Sequence, residues 1–234
     1  MLHHDLILAV SRSRAISTAS RAKGLFGLGK AVDLALKRAF DFSVAFTALV
    51  LLLPLFALVA LAIWAVDGAA PFYSHRRLGL NQKTFGCLKF RSMRINGDAI
   101  LQAYLAENPA AMAEWNETRK LKHDPRITVI GHVLRKSSLD ELPQLINVLR
   151  GEMSLVGPRP IVQAEVEKYG DAASAYFAVR PGLTGAWQVS GRSDTSYAER
   201  VSLDRHYVES RSFVGDIVII AKTVPAVFLV KGSY

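Results

Sequence analysis

From Phe42 to Val66 the chain reads FSVAFTALVLLLPLFALVALAIWAV, with no charged side chain. At about 1.5 Å per residue, a helix of that length can cover the roughly 30 Å of a bilayer's hydrocarbon. It starts too deep in the chain and runs too long for a signal peptide. Just before it, Val32, Leu34, Leu36, Ala39 and Phe40 stand at helical spacing among Lys30, Lys37 and Arg38. That pattern predicts an interfacial lead-in to the apolar segment. Residues 1–29, rich in Ser, Arg, Ala and Gly, read as a mobile basic lead.

Past the apolar segment, DGAAPFYSHRRLGLNQKTFGCLKFRSM alternates turn residues with short apolar runs, predicting short strands. DAILQAYLAENPAAMAEWNETRKL reads as helix broken near Asn108 and Pro109. A turn is predicted at Asp124–Pro125 and a short helix around Ile130 to Arg135. Leu142, Leu145, Ile146 and Leu149 fall on one helical face, and Gly151 is placed to end that helix. IVQAEVEKYG predicts an amphipathic helix ending at Gly170, RPGLTGAWQVSGRSD a loop, and SYAERVSLDRHYVES a helix. FVGDIVIIAKTVPAVFLV is apolar but interrupted by charge, which suits a helix on a membrane surface or packed on the core. The fold class is α/β, mostly helical with short strands. Three segments are read: the basic lead at 1–29, the lead-in and membrane helix at 30–67, and a small catalytic domain at 68–234.

Charge bears on how the apolar segment meets the membrane. The 234 residues include 29 Lys and Arg against 20 Asp and Glu, a net charge of +9. Such an excess points to phosphate-bearing partners: nucleic acid, anionic lipid or nucleotides. Arg12, Arg14, Arg21, Lys23, Lys30, Lys37 and Arg38 precede the segment; Arg76, Arg77, Lys83, Lys89, Arg91 and Arg94 follow it. Basic flanks on both sides favour keeping both ends in the cytoplasm. Pro54 lacks a backbone donor and predicts a membrane bend near the middle. A re-entrant helix reconciles the two. A single cysteine, Cys87, excludes an internal disulfide and reads as a small core residue. The six histidines show no paired spacing, so a histidine metal site is not expected. Trp64 suits an interface anchor, Trp115 and Trp187 suit packing, and no phosphate-binding glycine loop occurs.

Within this basic chain, RKSSLDELPQLINVLRGEMSLVGPRP places two adjacent acids, Asp140 and Glu141. Ser138 with Glu141, and Ser137 with Asp140, have capping-box spacing. The acids then sit in a helix's first turn, where the macrodipole favours an ionised carboxylate. Capping alone accounts for this pattern. A chemical reading accounts for it as well. An ionised aspartate is a competent nucleophile toward phosphorus, and a neighbouring glutamate can hold Mg²⁺ together with substrate phosphates. Arg135, and Arg159 in the GPRP stretch, could clamp phosphate oxygens.

CLKFRSM, DPRITVIGHVLRKSSLDELPQLINVLRGEMSLVGPRP and RPGLTGAWQVSGR resemble the bacterial monotopic polyprenyl-phosphate sugar-1-phosphate transferases. Within that family the likeness is to enzymes that start exopolysaccharide synthesis by attaching galactose-1-phosphate to undecaprenyl phosphate. It covers roughly Lys30 to Tyr234. The resemblance implies that Asp140 attacks the sugar-bearing phosphate of a UDP-sugar, releases UMP and carries a covalent phosphosugar until undecaprenyl phosphate takes it. It implies Glu141 as the Mg²⁺ ligand, and Arg159 and Arg192 as phosphate- or nucleotide-binding residues, with Arg135 in the same cationic shell. Lys89 and Arg91 of KFRSM match a family motif with a structural or phosphate-facing role; Asp204 in SLDRHYV matches another, as a ligand or a structural residue. A re-entrant membrane helix with both ends in the cytoplasm, beside interfacial helices, is also implied, at the bacterial inner membrane. Some members break that helix at a Ser-Pro pair; here Leu53 precedes Pro54. Larger relatives carry extra spans, and this chain is read as the catalytic core alone.

The partners expected are therefore a UDP-sugar, undecaprenyl phosphate and membrane lipid, with Mg²⁺ as cofactor. The interfacial habit is compatible with a homo-oligomer. Two other readings compete: a membrane-tethered nucleic-acid binder, against which stands the lack of an aromatic-basic stripe, and a non-catalytic anchor for assembly enzymes. Nucleic acid is not expected as a partner.

Overall fold

The computed structural model describes residues 2–118, 121–190 and 195–228. The chain divides into two compact units, Met1–Phe40 and Asp41–Tyr234. Helix α1 spans Leu2–Asp67, so its backbone is helical within the stretch read as a mobile lead. It is the one described helix long and apolar enough, by length and composition, to cross a membrane. It stays helical through Pro54, although that residue has no N–H to offer the carbonyl of Val50.

Everything that positions the site belongs to the unit from Asp41 onward. Ala45, Phe56, Val59 and Ile63 are buried, with Leu49 and Leu52 partly so. Steps of four, three, four, three and four residues put these six on one face of α1. The opposite face stays open: Leu51 is 72% exposed, and Leu53, Leu58, Leu61 and Trp64 are exposed too.

The strand reading of 72–90 holds as an antiparallel hairpin, β1 (Phe72–Leu78) and β2 (Thr84–Phe90). Because side chains alternate, the two faces differ in kind. Phe72 and Phe90 pair across the strands on one face. Phe90 meets Phe56 of α1 at 5.1 Å between ring centroids and joins a core with Val59, Ile63 and Leu134. Tyr73, His75, Arg77, Cys87 and Lys89 share the other face through the pairs Tyr73–Lys89 and His75–Cys87.

Helices α2 (Gly97–Glu107) and α3 (Pro109–Thr118) meet at the predicted break and bury Leu101, Leu105, Ala111 and Leu121 together. Helix α4 (Val129–Lys136) starts at Thr128, whose hydroxyl accepts from Gly131 N. A 3₁₀ turn at Leu139–Glu141 leads to α5 (Gln144–Arg150), which Gly151 ends at φ 78°.

Two short strands, and a helix at Ala186–Ser190 inside the stretch expected to be loop, went unread in the sequence. Strand β3 (Ser154–Val156) pairs in parallel with β4 (Gly182–Thr184), inside the stretch expected to be loop. A Cβ on Gly182 would run into the backbone of Gly157, so glycine there lets the strands close. The helix expected after Pro160 is only the short α6 (Val166–Tyr169), followed by α7 (Ala173–Phe177). Helices α8 (Ala186–Ser190), α9 (Tyr197–Ser210) and α10 (Phe213–Phe228) complete the described chain. A second core joins Leu78, Ile161, Tyr169, Tyr176 and Phe177. Tyr176 ties it together: its hydroxyl accepts from Ile161 N and donates to the Leu78 carbonyl.

Candidate active site

The carboxylate pair sits in the first turn of a short 3₁₀ helix, not of an α-helix. Ser137 Oγ donates back to the Val133 carbonyl at 2.7 Å. Ser138 adopts a left-handed conformation, φ 58°, with no side-chain cap bond. Neither predicted capping box forms. The chain instead turns a corner at Ser138, a conformation that costs a non-glycine residue free energy and that clusters at functional sites. Asp140 and Glu141 lie in the 3₁₀ turn just beyond it, before α5 begins.

The hairpin brings cations to that turn. Lys89 Nζ lies 2.7 Å from Glu141 Oε1 and 3.7 Å from Asp140 Oδ2. Arg159 Nη2 donates to the same Glu141 oxygen at 3.2 Å. Asn147 of α5 fixes this approach. It is fully buried, accepts from Leu88 N at 2.9 Å and donates to the Gly86 carbonyl at 2.8 Å and Glu152 Oε2 at 2.6 Å. A side-chain amide thus occupies the outer edge of β2 and locks the strand bearing Lys89 to the helix that follows Glu141.

These environments push the two acids apart. Burial raises the Asp140 carboxyl above its ordinary range; Glu141 adds to the rise, while Lys89, Arg135 and Arg159 oppose it. Burial acts on Glu141 too, but Arg159 and Lys89 outweigh it and bring that carboxyl down to about 2. The expectation that a helix dipole keeps Asp140 ionised therefore gives way to direct cation contact working against desolvation.

A pocket opens beside Glu141, walled by Arg77, Cys87, Lys89, Glu141, Gln144, Arg159 and Gln188; Asp140 adjoins it in the turn but is not among its lining residues. Sequence reasoning missed Arg77, Gln144 and Gln188. Arg77 shares the hairpin face of Lys89 and donates to the Pro160 carbonyl at 3.1 Å. Strand alternation would have shown it once the register was known. Cys87 is buried as predicted, and burial raises its thiol.

The other expected residues lie elsewhere. Arg135, in the last turn of α4, acts on Asp140 through its charge. Arg91 donates its backbone N–H to Pro71 at the base of the hairpin and is not among the residues lining the pocket. Asp204 is buried in α9, where Tyr169 donates to its Oδ2 at 2.8 Å; it belongs to the tyrosine-rich core and does not line the pocket. Arg192 lies outside the described residues.

Among the described residues no group of three or more His, Cys, Asp or Glu side chains gathers. Glu141 Oε1 is taken by two cations, while its Oε2 has no hydrogen bond among the described residues. That donor set fits a Mg²⁺ ion only if substrate phosphates and water complete its shell, the usual habit of Mg²⁺.

Comparison with known proteins identifies the family. The family model for bacterial sugar transferases matches residues 32–230. The chain is 58% identical to the exopolysaccharide production protein ExoY of Sinorhizobium fredii, over 85% of this chain and 88% of that protein. It is 51% identical to the UDP-galactose-lipid carrier transferase of Erwinia amylovora, over 85% of this chain and 42% of that longer protein. Identity to the undecaprenyl-phosphate galactose phosphotransferase of Salmonella typhimurium is 47%, over 85% and 42%. With its carboxylate pair, its cations and most of its length inside the match, the chain belongs to the bacterial sugar transferase family and is a transferase enzyme.

Proposed function

We propose that this enzyme transfers a hexose-1-phosphate, galactose-1-phosphate in the first instance, from a UDP-sugar to undecaprenyl phosphate, opening exopolysaccharide synthesis. One observation carries the reading: a buried aspartate beside a glutamate, both within reach of one lysine, at a pocket lined by two arginines. The names of the relatives from Erwinia amylovora and Salmonella typhimurium supply the substrate classes.

In this reading Asp140 attacks the phosphorus that bears the sugar. The bond from that phosphorus to the oxygen bridging toward UMP breaks, and UMP leaves with the electron pair. Asp140 then carries the sugar phosphate as an acyl phosphate. A phosphate oxygen of undecaprenyl phosphate attacks the same phosphorus, and the Asp140 carboxylate departs. Lys89, Arg159 and Arg77 face the negative charge of the donor. Glu141 would hold Mg²⁺, which supplies further neutralisation of the pyrophosphate when bound.

The apolar part of α1 is read as entering the cytoplasmic leaflet of the inner membrane and returning. Two contacts support this. Asp41, near its start, accepts from Ser154 Oγ at 2.7 Å, and Ile63, near its end, packs in the core with Phe90 and Leu134. A segment held to one compact body at both ends does not leave that body behind to cross a bilayer. The exposed face with Leu51, Leu58 and Trp64 then meets lipid.

The test is a donor trap. Purified enzyme is given UDP-galactose and Mg²⁺ without lipid acceptor, digested and analysed by mass spectrometry. A sugar-phosphate adduct on the Asp140 peptide is expected. Turnover without any adduct there refutes the aspartyl route.

A further inference from the structure

We infer that Gln144 is a substrate-contacting residue, whose amide grips the sugar-phosphate half of the donor. The inference rests on the proposed reaction and deepens it. Gln144 is 3% exposed and lines the pocket. Its side-chain amide has no hydrogen bond among the described residues. Neither amide atom is among the fully buried unpaired ones, so the little surface Gln144 keeps includes its amide, at the pocket. The contrast lies in the same helix: Asn147, three residues on, has both ends of its amide engaged, in three hydrogen bonds.

The pocket's other neutral amide is committed at one end only. Gln188 Nε2 donates to the Leu183 carbonyl at 3.2 Å. That bond fixes which end is nitrogen, and Oε1 is left fully buried with no hydrogen bond among the described residues. Gln144 is thus the amide at the pocket whose nitrogen and oxygen are both without a hydrogen bond among the described residues.

Its position selects the half of the substrate it meets. Gln144 stands four residues after Asp140, with Leu142 in a helical conformation between them. One helical turn therefore separates the amide from the attacking carboxylate. The group that must lie against Asp140 in both half-reactions is the sugar phosphate; UMP is gone by the second. An amide offers N–H to phosphoryl oxygens and C=O to sugar hydroxyls, and it adds no charge to a pocket that already holds three cations.

Gln144→Met keeps the size of the side chain and removes the amide. For UMP release from UDP-galactose, kcat/KM is expected to fall about tenfold or more, as for lost hydrogen bonds in a desolvated site. Inhibition by UMP is expected to stay at the wild-type level, which also reports that the variant is folded. An unchanged kcat/KM overturns the inference and makes Gln144 a packing residue. A parallel loss of UMP affinity also overturns it, assigning the amide to the nucleotide. If Gln144→Met fails to fold, Gln144→Asn, which retracts the amide by one methylene, is read for the same split. Adduct on Asp140 is scored in the wild-type arm. Its absence there refutes the aspartyl route alone, because the kcat/KM comparison does not depend on the adduct.

Discussion

Lys89 Nζ stands 2.7 Å from Glu141 Oε1, a bond across 52 residues of chain that joins the hairpin to the acidic turn. The same ammonium lies 3.7 Å from Asp140. One cation therefore serves two acids with opposite tendencies, and its removal is felt at both.

Lys89→Met is expected to cut turnover by tenfold or more and to change its pH profile. In the proposed reaction Asp140 must be ionised to attack, and burial already raises its carboxyl. With Lys89 gone the carboxyl rises further, so the acid limb of kcat/KM moves to higher pH. The check is a pH–rate profile of UMP release. An acid limb where the wild type has it removes Lys89 from the ionisation of Asp140.

Glu141→Gln should lose most turnover at ordinary Mg²⁺, measured as UMP release across a Mg²⁺ titration. It should also flatten the acid side of the stability curve. The Glu141 carboxyl sits at about 2 in the fold, against roughly 4.3 in an unfolded chain. Its stabilisation is present above the unfolded value and is lost as pH falls toward 2, at most roughly 3 kcal/mol. Unfolding midpoints from pH 5 to 2 separate wild type from variant.

Asp204 behaves in the opposite sense. Its carboxyl is raised to about 7 by burial, with the Tyr169 hydrogen bond working against the rise. Stability from the protonated form is full below about pH 4 and is lost as pH climbs through 7. Asp204→Asn, which can still accept from Tyr169, should be more stable than wild type at pH 8 by about 2–4 kcal/mol and should retain UMP release. A variant that stays folded but loses substrate binding would instead make Asp204 a ligand.

Asn147→Leu should destabilise the fold by about 3 kcal/mol, because it strands Leu88 N, the Gly86 carbonyl and Glu152 without partners. Turnover should fall with it as Lys89 loses its fixed approach to Glu141. A thermal melt paired with UMP release reads both. Wild-type stability would mean water replaces the amide at no cost.

Topology can be checked by single cysteines at Leu25 and Leu80 in a Cys87→Ala background. Membrane-impermeant thiol reagents should find both on the cytoplasmic side. Labelling from opposite sides would establish a crossing helix.

The sequence carried the elements that repeat a period for long enough. The charge-free run of α1, the alternation in the hairpin, the break at Pro109 and the stop at Gly151 were legible for that reason. β3 and β4 were not: each has three residues, and they find each other only in the folded chain. Ser138 also misled, since capping-box spacing says nothing about a left-handed residue at that position. At the site, Asp140 and Glu141 stood out as acids in a basic chain. Arg77 and Gln144 did not, because their faces are set by a strand register and by a turn the spacing did not reveal. Asp204 came from a motif match, and only tertiary contacts put it among tyrosines.

Asn147 also has a meaning apart from catalysis. A two-stranded ribbon exposes the outer edge of each strand, and open edges invite pairing with other chains. On β2 the amide of Asn147 fills the slots where a third strand would bond, and on β1 a bridge from Leu78 to Ile161 covers part of the other side. The free edges of this hairpin are thus partly covered by one side chain and one bridge, which limits sheet-to-sheet pairing with neighbouring chains.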